Sequence, residues 1–148
     1  MSQRTAVVEL VKGLTFVAKS DSNHWVIMDG PTEFGGSNAG SRPKELLLMA
    51  LGGCTGSDVV SILAKKQTPL RGFRVNLSAN SREQHPQVFT DIQIEYVFYG
   101  DGINSGDVER AIELSITKYC AVSAMLKEAV HITHSYRIEP TVGENRPV

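Results

Sequence analysis

The chain's two cysteines, Cys54 and Cys120, are its strongest candidates for nucleophilic or redox chemistry. They stand 66 residues apart and form no CxxC, so neither a zinc ribbon nor a thioredoxin-type motif is available. Cysteine is often an inert, buried small hydrophobe. The surroundings of Cys54 argue for more. It sits in Gly52-Gly53-Cys54-Thr55-Gly56-Ser57, inside an otherwise strong helical pattern. A glycine within a helix costs about 1 kcal/mol against alanine, so three of them cost about 3 kcal/mol. Close approach of another segment, or a local kink, would supply the reason. Cys120 falls at an expected helix N-terminus, where the dipole lowers a thiol pKa and favours the reactive thiolate.

Other polar residues read more simply. Asp58 lies four residues after Cys54, on nearly the same helix face. It reads as a hydrogen-bonded residue near a subunit contact; ionised beside Cys54, it would raise the thiol pKa. His131 and His134 are three apart on an expected strand and point to opposite faces, poor geometry for one metal. No metal and no cofactor is therefore expected. His24 and His85 sit near turns and read as solvated. Trp25 reads as a core or dimer-contact residue. Gly30, Gly35, Gly36 and Gly40 lack phosphate-loop spacing, and no GxSxG elbow is present.

The elements that must position the cysteines follow from periodicity. Three short strands alternate over Ala6–Val11, Leu14–Lys19 and His24–Met28. A flexible, glycine-rich stretch from Asp29 to Ser41 follows. A helix is expected from about 42 to 66, with Ser41 as cap, Pro43 in the first turn and Glu45 at the positive end of the dipole. Its apolar positions (Leu46, Leu47, Leu48, Ala50, Leu51, Val59, Val60, Ile62, Leu63) cover most of its circumference, which predicts a helix buried in the middle of the fold. Two alternating strands come next, with Phe73, Val75, Leu77 and Ala79 and then Ile92, Ile94, Tyr96 and Phe98 facing in. A helix over Ser105–Lys118, a short helix over Tyr119–Leu126 and a strand over Ile132–Ile138 complete the order βββ-α-ββ-α-α-β. The expectation is an α+β fold with a mostly antiparallel sheet around a central helix. One domain spans 1–148, its core at about 5–139 and a polar tail at 140–148.

Composition narrows the function classes. With 41% hydrophobic residues the chain can build a core without staples. Its 15 basic and 16 acidic residues give a net charge of -1, which excludes the electrostatic footprint of a general nucleic-acid binder. The longest apolar run, Leu46 to Gly53, falls short of the ~20 residues of a membrane span. The N-terminus has no apolar signal core. A cytoplasmic protein with no membrane partner is expected.

Pro43-Lys44-Glu45-Leu46-Leu47-Leu48-Met49-Ala50-Leu51-Gly52-Gly53-Cys54, with the second cysteine in Tyr119-Cys120-Ala121-Val122-Ser123, resembles the OsmC/Ohr family of osmotically induced and organic-hydroperoxide-resistance proteins. The element order agrees over about residues 5 to 139. The resemblance implies the OsmC-like fold, an intertwined homodimer and a thiol-dependent hydroperoxide reductase of the stress response. In that reading Cys54 attacks an organic hydroperoxide, Cys120 resolves the sulfenic acid as a disulfide, and an external thiol or lipoyl-protein reduces the pair. Glu45 and Arg42 are the candidates for the family's activating carboxylate and arginine.

The chain departs from the family at both of these. Lys44 occupies the position of the glutamate that follows the motif proline, with Glu45 one residue later. On a straight helix nine residues turn about 900°, which puts Glu45 opposite Cys54, whereas Lys44 is about 80° away. No arginine occurs from Asp29 to Ser41. Arg42 or Lys44, from either chain, is left as the cation that would favour the thiolate. These departures suit the broader OsmC-like branch. They also keep an alternative open, a non-catalytic or weakly active dimer of this fold that binds an apolar small molecule.

The dimer expectation also has a basis in the helix itself. Leu46, Leu47 and Leu48 point in directions 100° apart, which one sheet cannot shield. The sulfurs, in turn, are expected to face one apolar pocket.

Overall fold

The computed structural model describes residues 2–140. Six strands and three helices follow the expected order. The chain divides into two compact units, Met1–Met49 and Ala50–Val148. The polar tail expected at 140–148 lies, from residue 141, outside the described residues.

In the first unit β1 (Ala6–Lys12), β2 (Thr15–Ser20) and β3 (Val26–Met28) form an antiparallel sheet in that order. Gly13, at φ +57°, takes the left-handed conformation that turns β1 into β2. The 29–41 stretch, expected to be flexible, is tied down by Asp29. Its buried carboxylate accepts from the Thr15 hydroxyl (2.8 Å) and from the backbone N–H of Gly30 (2.7 Å), Ala39 (3.1 Å) and Ser37 (3.2 Å). Burial alone would raise the carboxyl pKa; the four donors outweigh it and hold Asp29 below its ordinary value. Trp25 is half-exposed, with the Lys19 ammonium 4.8 Å above its ring, and is no core residue.

Helix α1 (Pro43–Lys65) has Arg42 rather than Ser41 in the N-cap position. The Arg42 carbonyl accepts from the Leu46 N–H, and the Glu45 carboxylate reaches back to the Arg42 N–H at 3.1 Å, the reciprocal half of a capping box. Ser41 is instead bridged to Met28.

In the second unit β4 (Gly72–Ser81), β5 (Phe89–Tyr99) and β6 (His131–Glu139) form a second sheet with β5 at its centre. The β4–β5 pair is antiparallel and β5–β6 parallel, linked through α2 (Ser105–Leu114) and α3 (Ala121–Leu126). Asn104 caps α2 through the Asp107 N–H. Ile92, Ile94, Tyr96 and Phe98 are buried as expected, and Val97, expected on the outer face, is buried with them.

Of the three helix glycines, Gly52 answers to close approach, and α1 is unbroken through all of them. A Cβ on Gly52 would meet Leu77 Cδ1 at 2.7 Å, whereas one on Gly56 would make ordinary contact with Val75 and Phe73 at 3.4 and 3.5 Å. Glycine lets α1 lie on β4. Burial along α1 is confined to Leu51, Gly52, Thr55, Gly56, Val59 and Leu63. Leu47, Met49 and Val60 are exposed by 45%, 52% and 41%, so within one chain the helix is not covered all round. At 23 residues, with an 18-residue stretch of mean hydropathy 1.7, α1 is long and apolar enough to cross a membrane, which corrects the expectation that no stretch approaches a span. Its glycine and threonine face packed on a sheet is that of a core helix.

Candidate functional site

Cys54 projects from the middle of α1, half-buried. Asp58 follows one turn later, on the same face. Cys120 enters from the other side of the unit. Helix α2 continues into a π turn over Ser115–Tyr119, and Cys120 is the residue between that turn and α3. Such widened turns occur often at functional sites. The two sulfurs and a carboxylate oxygen of Asp58 all lie within 4.8 Å of one another. Both cysteines are free thiols, and the expected proximity holds.

Cys120 is only 2% exposed. Its sulfur caps α3, accepting from the Ser123 N–H at 3.3 Å. A six-residue helix contributes little dipole, and the thiol does not have the lowered pKa expected of a helix N-terminus. Burial pushes it up to about 11; the Ser123 N–H opposes this, while the neighbouring Cys54 thiol and the Asp58 charge add to it. Asp58 is thus hydrogen-bonded, as expected, and opposes ionisation at Cys120.

Three further residues complete the site. The Asp58 carboxylate accepts from the Ser115 hydroxyl at 2.9 Å. Ser115 and Thr55 hydroxyls are 2.8 Å apart, and Thr55 is 2.7 Å from the Tyr96 phenol. A carboxylate can only accept, which orders the chain: Tyr96 donates to Thr55, Thr55 to Ser115, and Ser115 to Asp58. Tyr96, Thr55 and Ser115 are fully buried. Burial drives the Tyr96 pKa up to about 12, so the phenol keeps its proton. A cleft of about 360 Å³ beside Asp58 is lined by Ser61, Ile62, Lys65, Lys66, Leu114 and Tyr119. Neither cysteine lines this cleft, so it is not the apolar pocket that the sulfurs were expected to face.

Arg42 and Glu45 belong to the first unit, the cysteines to the second. Within its own unit the Arg42 guanidinium donates to the Asn38 side chain (2.8 Å) and the Gly40 carbonyl (3.1 Å), and Glu45 caps α1. The same unit carries an open apolar cavity of about 740 Å³, lined chiefly by Val8, Leu14, Phe16, Met28, Pro31 and Phe34. Thr55 and Ser115 escape a reading of the sequence alone, although a threonine on the buried face of an apolar helix is a signal of a partner.

Residues 35–135 match the family described as OsmC-like protein. The Escherichia coli K12 protein YhfA is 44% identical over 133 residues, 90% of this chain and 96% of YhfA. A hypothetical protein from Aquifex aeolicus has a crystal structure that superposes with a TM-score of 0.78 at 32% identity, covering 94% of this chain and 99% of that one. The organic hydroperoxide resistance protein OsmC of Legionella pneumophila shares the fold, with a TM-score of 0.67 at 14% identity over 96% and 98% of the two chains. The family match over most of the chain and the identity to YhfA agree with the cysteine motif and the α+β order, and the chain belongs to the OsmC-like protein family.

Proposed function

We propose that the protein is a homodimeric, thiol-dependent hydroperoxide reductase of the cytoplasm, its single domain using Cys54 and Cys120 as a redox pair. The observation that carries this reading is the approach of two free sulfurs to within 4.8 Å on a partly open face. The Cys54 thiolate attacks an oxygen of an organic hydroperoxide; the O–O bond breaks, the alkoxide leaves and takes a proton as alcohol, and Cys54 becomes a sulfenic acid. The Cys120 sulfur then attacks Cys54, the S–O bond breaks, and the departing hydroxide takes the Cys120 proton as water. Asp58, within reach of both sulfurs, carries that proton from Cys120 to the leaving oxygen. A dithiol or lipoyl-protein donates two electrons and returns both thiols. The Legionella relative's name, organic hydroperoxide resistance protein, favours the same chemistry. Arg42 and Glu45 are engaged within the first unit and take no part in these steps.

The exposed apolar residues of α1 and of β1 (Val7, Val8, Leu10, Val11) support a second copy as their cover. Sedimentation at micromolar concentration should give a species near twice 16.2 kDa. The rival reading, a passive binder of an apolar molecule, draws on the cavity of the first unit. Consumption of an alkyl hydroperoxide with dithiothreitol or a lipoyl donor separates the two. Wild type should turn over and Cys54→Ser should not. Equal slow rates for both would leave the binder.

A further inference from the structure

We propose that, in the reduced protein, Cys54, Asp58 and Cys120 bind one soft divalent cation of the zinc class. The donor set is two sulfurs and one carboxylate oxygen, all within 4.8 Å of one another. Zinc binds thiolate at about 2.3 Å and carboxylate oxygen at about 2.0–2.2 Å, and tetrahedral angles then put the two sulfurs about 3.8 Å apart. Closing on an ion from the observed spacing asks for a contraction of at most about 1 Å between the sulfurs and about 1.3 Å between sulfur and oxygen.

The scaffold suits such a site. Cys54 and Asp58 are one helical turn apart on α1, so their ligating atoms share a face. Cys120 is fixed across from them between the π turn and α3. The Ser115 hydroxyl donates to Oδ2 of Asp58 and is itself held by Thr55 and Tyr96, all three buried. Outer hydrogen bonds of this kind orient the ligands of metal sites. Three protein ligands leave a fourth position for water or another ligand, and half-buried Cys54 gives the entry path. Each sulfur binds as thiolate and its proton leaves to solvent.

The binding stands without the peroxidase reading. One consequence rests on that reading: an ion held by both sulfurs leaves neither free to attack a peroxide or form a disulfide, so occupancy and turnover exclude each other.

Cobalt(II) titration of the reduced full-length protein under anaerobic conditions tests the proposal. One ion per chain should produce thiolate-to-cobalt charge-transfer absorption, and zinc should abolish it. Cys54→Ser and Cys120→Ser should each lower the intensity by about half, since one of two thiolates is lost. Asp58→Asn should keep the band but weaken affinity about tenfold or more. Circular dichroism identifies any variant that fails to fold. Wild type alone gives a second reading, because zinc should protect both thiols from alkylation. No charge-transfer band, affinity unchanged in Asp58→Asn, or thiols alkylated equally fast with zinc would overturn the site. A peroxide assay that failed while cobalt bound would remove the reductase and leave the metal site standing.

Discussion

The Ser115 hydroxyl donates to the Asp58 carboxylate at 2.9 Å, joining the π turn that ends α2 to the cysteine-bearing face of α1. That bond holds a negative charge beside Cys120. Asp58→Asn removes the charge and should lower the Cys120 pKa from about 11. Alkylation rate against pH, in a Cys54→Ser background, checks this; an unchanged midpoint would show that the carboxylate does not reach the sulfur. The sign for stability follows. A thiol whose pKa is raised from 9.0 to about 11 favours the fold fully below pH 9 and loses that contribution as pH rises to about 11. Asp58→Asn should therefore lose less stability across that window.

Thr55→Val keeps the shape and removes the hydroxyl between Tyr96 and Ser115. Two buried hydroxyls then lose a partner, at a cost of about 1–3 kcal/mol. Urea unfolding should show a lower midpoint at an unchanged slope. A variant as stable as wild type would mean the chain contributes nothing to the fold.

The neighbouring glycines should behave differently from each other. Gly52→Ala brings a Cβ against Leu77 and should destabilise by roughly 1 kcal/mol net, the strain of overpacking exceeding the gain in helix propensity. Gly53 has nothing within 4 Å of such a Cβ in the single chain. Under the proposed dimer that face meets a second copy, and Gly53→Ala should weaken self-association in sedimentation equilibrium. A stabilisation of about 1 kcal/mol instead would mark a free helix face.

Asp29 sets the acid limit of the first unit. Its pKa lies below the ordinary 3.8, so its contribution is complete above pH 3.8 and is lost as pH falls through the lower, folded value. Amide exchange of Ser37 and Ala39 should accelerate in that acid range. Asp29→Asn should show the acceleration already at neutral pH.

The fold was legible where periodicity is strong. Alternation in β4 and β5, the breadth of apolar residues on α1 and the cysteine-bearing motif placed nearly every element. Local polar detail was not. Ser41 is a good cap by type, yet its backbone pairs beside Met28 and the helix starts one residue later, with Arg42 in the N-cap position. Asp29 looks like an ordinary turn residue until four donors converge on it across as many as 14 residues of sequence. Thr55, Ser115 and Tyr96 are separated by up to 60 residues, and no local spacing links them. The thiol of Cys120 was misjudged because position at a helix start is visible in sequence and burial is not.

The sulfur of Cys120 is also the acceptor that starts α3. A disulfide sulfur is a poorer acceptor than a thiol or thiolate, so forming the bridge loosens the Ser123 N–H and the first turn of a six-residue helix. By reciprocity, the folding of α3 favours the dithiol over the disulfide. Under the proposed redox pair, this biases the couple to a higher reduction potential, that of a readily reduced bridge rather than one that staples a fold.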